Sequence, residues 1–180
     1  MALLKYILIL SVLLCVSTVN TDDTMAWRDH YKLSWLNFKG QPEPNSTAVA
    51  VTASGITFGY SLKRIDNKIV SFNANVEAHF YPNKSWYLKD KGNAHILAHE
   101  QLHFDITELY ARKFRQQLAE LEVNQNIKAQ MNALHNAINE AVSKTQKRYD
   151  QETMHSMNIE KQKEWEVFIG KELKALDQFK

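Results

Sequence analysis

The sequence predicts an α+β fold, with a small antiparallel sheet of three to four strands in the N-terminal half packed on about three helices. Three observations predict it. Between Tyr31 and Tyr87 apolar residues alternate with polar ones, the period of a half-buried strand. From Asn93 to the end they recur every three or four residues, the period of a helix face. Pro82 is the last proline, and Gly92 and Gly170 are the only glycines after it, so little interrupts helix in the second half.

The chain opens with MALLKYILILSVLLCVSTVNTDD, one lysine ahead of an apolar run and then small and polar residues. That is the layout of a signal peptide, here residues 1–22, with cleavage expected between about Ser17 and Thr24. The run is shorter than the roughly 20 residues a membrane span needs. Cys15, the one cysteine, lies in this segment. Lipidation there is the less favoured expectation, because VLL precedes it where small residues are wanted. Residues 23–180 are expected to form a single domain, secreted or periplasmic, without disulfide or thiolate ligand. The net charge is +2 and no block of one sign occurs, which argues against nucleic acid or an anionic membrane as partner.

The elements follow in order. YKLSWLNF leads to a proline-bearing turn at Gln41 to Asn45. Ile56, Phe58, Tyr60 and Leu62 then alternate along a strand, and Asp66 and Asn67 read as a hairpin turn. In the returning strand Phe72, Ala74, Val76, Ala78 and Phe80 share one face, while Asn73, Asn75, Glu77 and His79 share the other. A second helix carries Ile127, Met131, Leu134, Ile138 and Val142 along one face. After a polar break at DQETMHSMN, a third helix carries Trp165, Ile169, Leu173 and Leu176.

The first helix holds the chemistry. AHILAHEQLHFDITELYARKF contains H-E-x-x-H at His99, Glu100 and His103, with His95 one turn earlier. At about 100° per residue, His95, His99 and His103 form one stripe. Histidines four apart can each bring a nitrogen to one zinc ion, and Glu100, about 100° round the helix, can reach a water on that ion. The expectation is a zincin-like active-site helix, with zinc acidifying water and Glu100 taking its proton. Three hydrogen-bonded core histidines are the alternative reading of the same pattern. Asp105 and Glu108 fall on the far side, and Glu108 with Arg112 reads as a solvated i,i+4 ion pair.

Two helix ligands leave a third to be found. His95 cannot join both others, because the outer pair is about 12 Å apart along the helix. It is better cast as a cleft histidine that steadies an oxyanion. His30 and His79 read as surface residues, and His135 as a packing residue at the margin of an apolar face. His155 sits in the polar break, where it could be aimed back at the first helix. A helix-terminus histidine is the equal alternative there.

The segments LSWLNFKG, KSWY, LAHEQLHFDITELYARK, RYDQETMH and QKEW span nearly all of residues 23–180 in order. Together they resemble the DUF922 family, described as predicted secreted zinc-dependent proteases. The resemblance implies peptide-bond hydrolysis of a peptide or protein substrate outside the cytoplasm. It implies His99 and His103 as zinc ligands, Glu100 as base and His155 as third ligand. It also points to a supporting contact through Asp105, and Tyr149 or His95 is a candidate to polarise the scissile carbonyl. One departure is Ser156, where the family pattern has glycine after the histidine. The competing expectation is a non-catalytic exported module that binds zinc or a partner.

Overall fold

The computed structural model describes residues 23–180, so the signal-peptide expectation and Cys15 lie outside the described residues. The fold is α+β. Strand β1 (Met25–Ala26) is followed by β2 (Ala50–Val51), β3 (Ser54–Ile65), β4 (Lys68–Phe80) and β5 (Trp86–Tyr87). Helices α1 (Ala94–Ala119), α2 (Ile127–Glu152) and α3 (Ile159–Ala175) complete it, with short 3-10 turns at Trp35–Asn37, Pro82–Lys84 and Asp177–Phe179.

The sheet runs β1-β4-β3, all antiparallel, and β2 pairs with β5 as a separate two-stranded piece. The β3–β4 turn forms where the dipeptide DN predicts it. Asp66 and Asn67 both take the left-handed backbone that a tight hairpin turn needs, with φ of 48° and 63°. The alternation also holds: Ile56, Phe58, Tyr60, Leu62, Phe72 and Ala74 pack against the core that contains Val76, Ala78 and Phe80.

Helix α1 is the centre of the molecule. It packs on β3 and β4, and also on α2 and α3. Asn93 caps it by accepting a hydrogen bond from the Ile96 amide. Fourteen of its 26 residues are buried, against four of 26 in α2, so α1 is buried all round rather than on one stripe. One apolar cluster, with Phe80, Phe104, Phe114 and Met131, joins α1 to the sheet and α2. A second, with Leu102, Ile106, Tyr149, Trp165 and Ile169, joins it to α3 and the end of α2.

All-round burial corrects one expectation. Glu108 and Arg112 are not solvated; they are 2% and 1% exposed. The Arg112 Nε donates to Glu108 Oε1 at 2.9 Å, and Arg115 Nη1 donates to the same oxygen at 3.1 Å. Both ends of the described chain cover this face. The Trp27 indole donates to Asp105 at 2.7 Å, and the Leu33 amide donates to Gln101 Oε1 at 2.7 Å. Arg112 donates to the Leu173 carbonyl and Arg115 to the Phe179 carbonyl. Helical spacing cannot reveal a cover contributed by segments so distant in sequence. His79 departs less: its ring is mostly covered beside Thr57 and Glu77. His30 is exposed, and His135 stacks on Phe114.

No helix among the described residues is long and apolar enough to cross a membrane. Replacing Glu108 with Gln removes the one buried counter-charge of Arg112 and leaves it only the exposed Asp29 and Asp177 carboxylates at 3.8 Å and 3.5 Å, which costs about 3 kcal/mol. Urea denaturation of Glu108→Gln is expected to show that loss; a change within error would mean that the pair is dispensable.

Candidate metal centre

The inner side of α1 meets the C-terminal turns of α2 at three side chains. The His103 Nε2 lies 3.2 Å from His99 Nε2, and Asp150 Oδ1 lies 3.0 Å from His103 Nε2 and 3.2 Å from His99 Nε2. Their donor atoms all fall within 4.8 Å of one another. Donors around a four-coordinate ion at 2.0–2.2 Å stand about 3.3–3.6 Å apart by tetrahedral geometry. The observed spacing is close to that, and two imidazoles with a carboxylate are a donor set divalent transition metals accept. This group could therefore hold a metal ion.

Supporting contacts set the rings. His103 Nδ1 donates to Gln146 Oε1, which leaves Nε2 as the free lone pair of the neutral ring. Gln146 is itself held, donating to the His103 carbonyl at 2.8 Å. The Tyr149 ring stacks on His99 with centroids 4.5 Å apart and meets His103 edge-on at 5.0 Å. Its hydroxyl points to the His99 carbonyl, and burial raises its pKa well above that of an ordinary tyrosine, so it stays protonated.

Glu100 is buried beside the two histidines, and its Oε2 has no hydrogen-bond partner. It lines a cavity of about 660 Å3 together with His99, His103, Asp150 and the Thr47–Thr52 segment that contains β2. The Thr52 hydroxyl donates to the Glu100 carbonyl at 3.1 Å, tying that segment to α1.

His155 lines the same cavity, but its ring is 79% exposed and its Nδ1 stands 3.9 Å from Asp150 Oδ1. The turn carrying it is unusual. Met154, His155 and Ser156 take φ of 50°, 52° and 72°, three successive left-handed residues without a glycine. Hydrogen bonds hold them: the His155 amide donates to the Asp150 carbonyl at 2.8 Å, His95 Nε2 donates to the Ser156 carbonyl at 2.6 Å, and the Met154 amide donates to the Gln151 carbonyl at 3.2 Å. His95 thus fastens the turn and is not among the residues lining the cavity. Asp105 is on the opposite side of α1, engaged by Trp27, Gln101 and Lys32.

Asp150 and Gln146 are the residues the motif reading passed over. A signal existed: they are four apart, so both face the same way from α2, and Asp150 stands inside RYDQETMH.

The charges are coupled. Burial lowers the His99 pKa, and the neighbouring His103 adds to this. Burial also acts to lower that of His103, but the hydrogen bond and charge of Asp150, with the charge of Glu100, outweigh it and leave the value raised. Burial opposes ionisation of Asp150, yet hydrogen bonds from His103 and His99 hold its pKa well below the usual carboxylate range.

A family model described as "Bacterial protein of unknown function (DUF922)" matches residues 30–156. No curated protein and no solved structure matches the chain.

Two measurements test this geometry. His103 has a raised folded pKa, so without metal its contribution to stability is full below the unfolded value of about 6.5 and is lost as pH rises through the folded value. Metal binding releases that proton. Thermal melts above pH 6.5 are therefore expected to show the metal-free protein losing stability as pH rises, while metal affinity increases over the same window. Parallel trends would contradict the assignment. Ser156→Gly, which relieves the left-handed backbone, is expected to stabilise the protein by about 1 kcal/mol; destabilisation in denaturant melts would contradict the strained turn.

Proposed function

The chain belongs to the DUF922 family, and from that premise we propose that it is an exported zinc-dependent metallopeptidase with Glu100 as its base. The family model that matches the chain is described as one of unknown function, so the reading rests on the site. One observation carries it: the buried Glu100 carboxylate with an unpartnered oxygen, lining the cavity beside the His99–His103–Asp150 group. A buried carboxylate without a partner is costly. A purely structural centre has no use for it, whereas a hydrolase needs a base there.

Zinc suits two imidazoles and a carboxylate with a fourth position left open. When bound, it supplies Lewis acidity that polarises a carbonyl and lowers the pKa of water to about 7. Glu100 takes the proton of the attacking water and returns it to the leaving amine nitrogen. Gln146 and Tyr149 keep the two imidazoles oriented throughout. The β2 segment lines the cavity, so an extended substrate can lie along it as an added strand. Of the two candidates for polarising the carbonyl, His95 has its Nε2 engaged by Ser156 and Tyr149 has its hydroxyl on the His99 carbonyl. We assign that role to neither.

The third ligand comes from the end of α2, where two candidates stand side by side. Asp150 already sits within 3.2 Å of both imidazole nitrogens, whereas the exposed His155 ring would have to turn inward. We assign the position to Asp150, with His155 as the rival. Export rests on the apolar segment within residues 1–22.

Glu100→Gln is expected to keep its zinc and lose at least about 100-fold in peptide hydrolysis. Retained hydrolysis would point to the rival reading, a non-catalytic zinc-binding module. Asp150→Ala is expected to weaken zinc binding more than His155→Ala does, as read by competition with a chromogenic chelator. The reverse order would give the third position to His155.

A further inference from the structure

The metal centre does not sit at the end of a pocket. A second cavity of about 430 Å3 adjoins the first, and Thr52, His103 and Asp150 line both. The two sides differ in chemistry. On the first, Val49, Val51, Ile96 and Met157 contribute apolar side chains, and no lysine or arginine is among the lining residues. On the second, Ser54, Asn139, Ser143 and Gln146 contribute hydroxyl and amide groups beside Ile56 and Val142, and Lys147 is the one lysine or arginine in the lining.

Each volume exceeds that of a single side chain and falls within the range of ligand sites. A site that selects chain ends is closed on one side and offers a charge to the terminus; a terminal carboxylate calls for a cation. Here the larger cavity offers no lysine or arginine, and a second cavity adjoins it at His103 and Asp150. The smaller cavity carries a lysine and, apart from Asp150 at the centre, no carboxylate in its lining. An acidic side chain is therefore favoured over a basic one there.

We propose that the substrate is an internal segment of a polypeptide lying across the metal centre, with an apolar side chain in the Val49–Met157 cavity and an acidic or hydroxyl-bearing side chain beside Lys147. This rests on the reading of the centre as peptide-hydrolysing, and it defines the substrate class of that same site. The cavity that binds apolar groups fixes position through burial, and the Lys147 cavity discriminates by charge.

The test uses peptides blocked at both ends, with leucine at one central position and glutamate, serine or lysine beside it, in both orders. Binding to the zinc-loaded Glu100→Gln protein is read by fluorescence anisotropy, and cleavage by the unmodified protein is read by mass spectrometry. Glutamate is expected to be favoured over lysine by roughly five-fold, the scale of one exposed ion pair. Lys147→Glu is expected to reverse that order, and Met157→Asp to weaken binding of every leucine peptide. Equal affinity for all three peptides, an order unchanged in Lys147→Glu, or a requirement for a free terminus would overturn the proposal. Binding with the expected order but no cleavage overturns the hydrolase reading and leaves the two-cavity groove standing. Cleavage without the order overturns the groove alone.

Discussion

Everything in this molecule depends on α1 being buried on all sides while carrying polar groups on two of them. A buried polar group needs a partner, and a buried charge needs a counter-charge. On one side His99 and His103 are met by Asp150 and Gln146 from α2. On the other Gln101, Asp105, Glu108 and Arg112 are met by Trp27, Leu33, Arg115 and Leu173. The two faces share one rigid rod, so whatever anchors the ionic face also fixes the imidazoles. The site is precise because its far side is occupied.

The left-handed turn after α2 belongs to the same economy. Its three residues adopt a backbone that non-glycine residues disfavour, and the bonds from His95 and to Asp150 hold it there. The result is that His155 and Met157 line the cavity opposite β2. A relaxed continuation of α2 would carry them away along the helix axis. Strain at this point is therefore tied to the shape of the cleft rather than to packing of the core.

Much of the fold was legible from residue periodicity. The β3–β4 hairpin follows from alternation and from the DN turn, and the helical half follows from spacing and from scarce glycine and proline. The H-E-x-x-H motif located the imidazole pair and Glu100 because helical geometry alone brings residues i, i+1 and i+4 together. Asp150 was not legible in that way. Whether a polar residue near the end of α2 faces α1 depends on how the two helices dock, a long-range fact that no local period records. The solvated reading of Glu108 and Arg112 failed for the same reason. Their cover comes from residues 27–33 and 173–179, which have no periodic relation to α1.

The three donors come from two helices, with His99 and His103 on α1 and Asp150 far along the chain on α2. A cation shared among them would act as a cross-link closing the α1–α2 loop. Residues 23–180 have no cysteine, so no disulfide can do this. Loop closure removes freedom from the unfolded chain, and a ligand that binds only the folded form adds stability that grows with its free concentration. The ion would thus be a reversible clasp. In surroundings poor in the metal, the protein would loosen where its two central helices meet, and the same shortage would limit its persistence along with its chemistry.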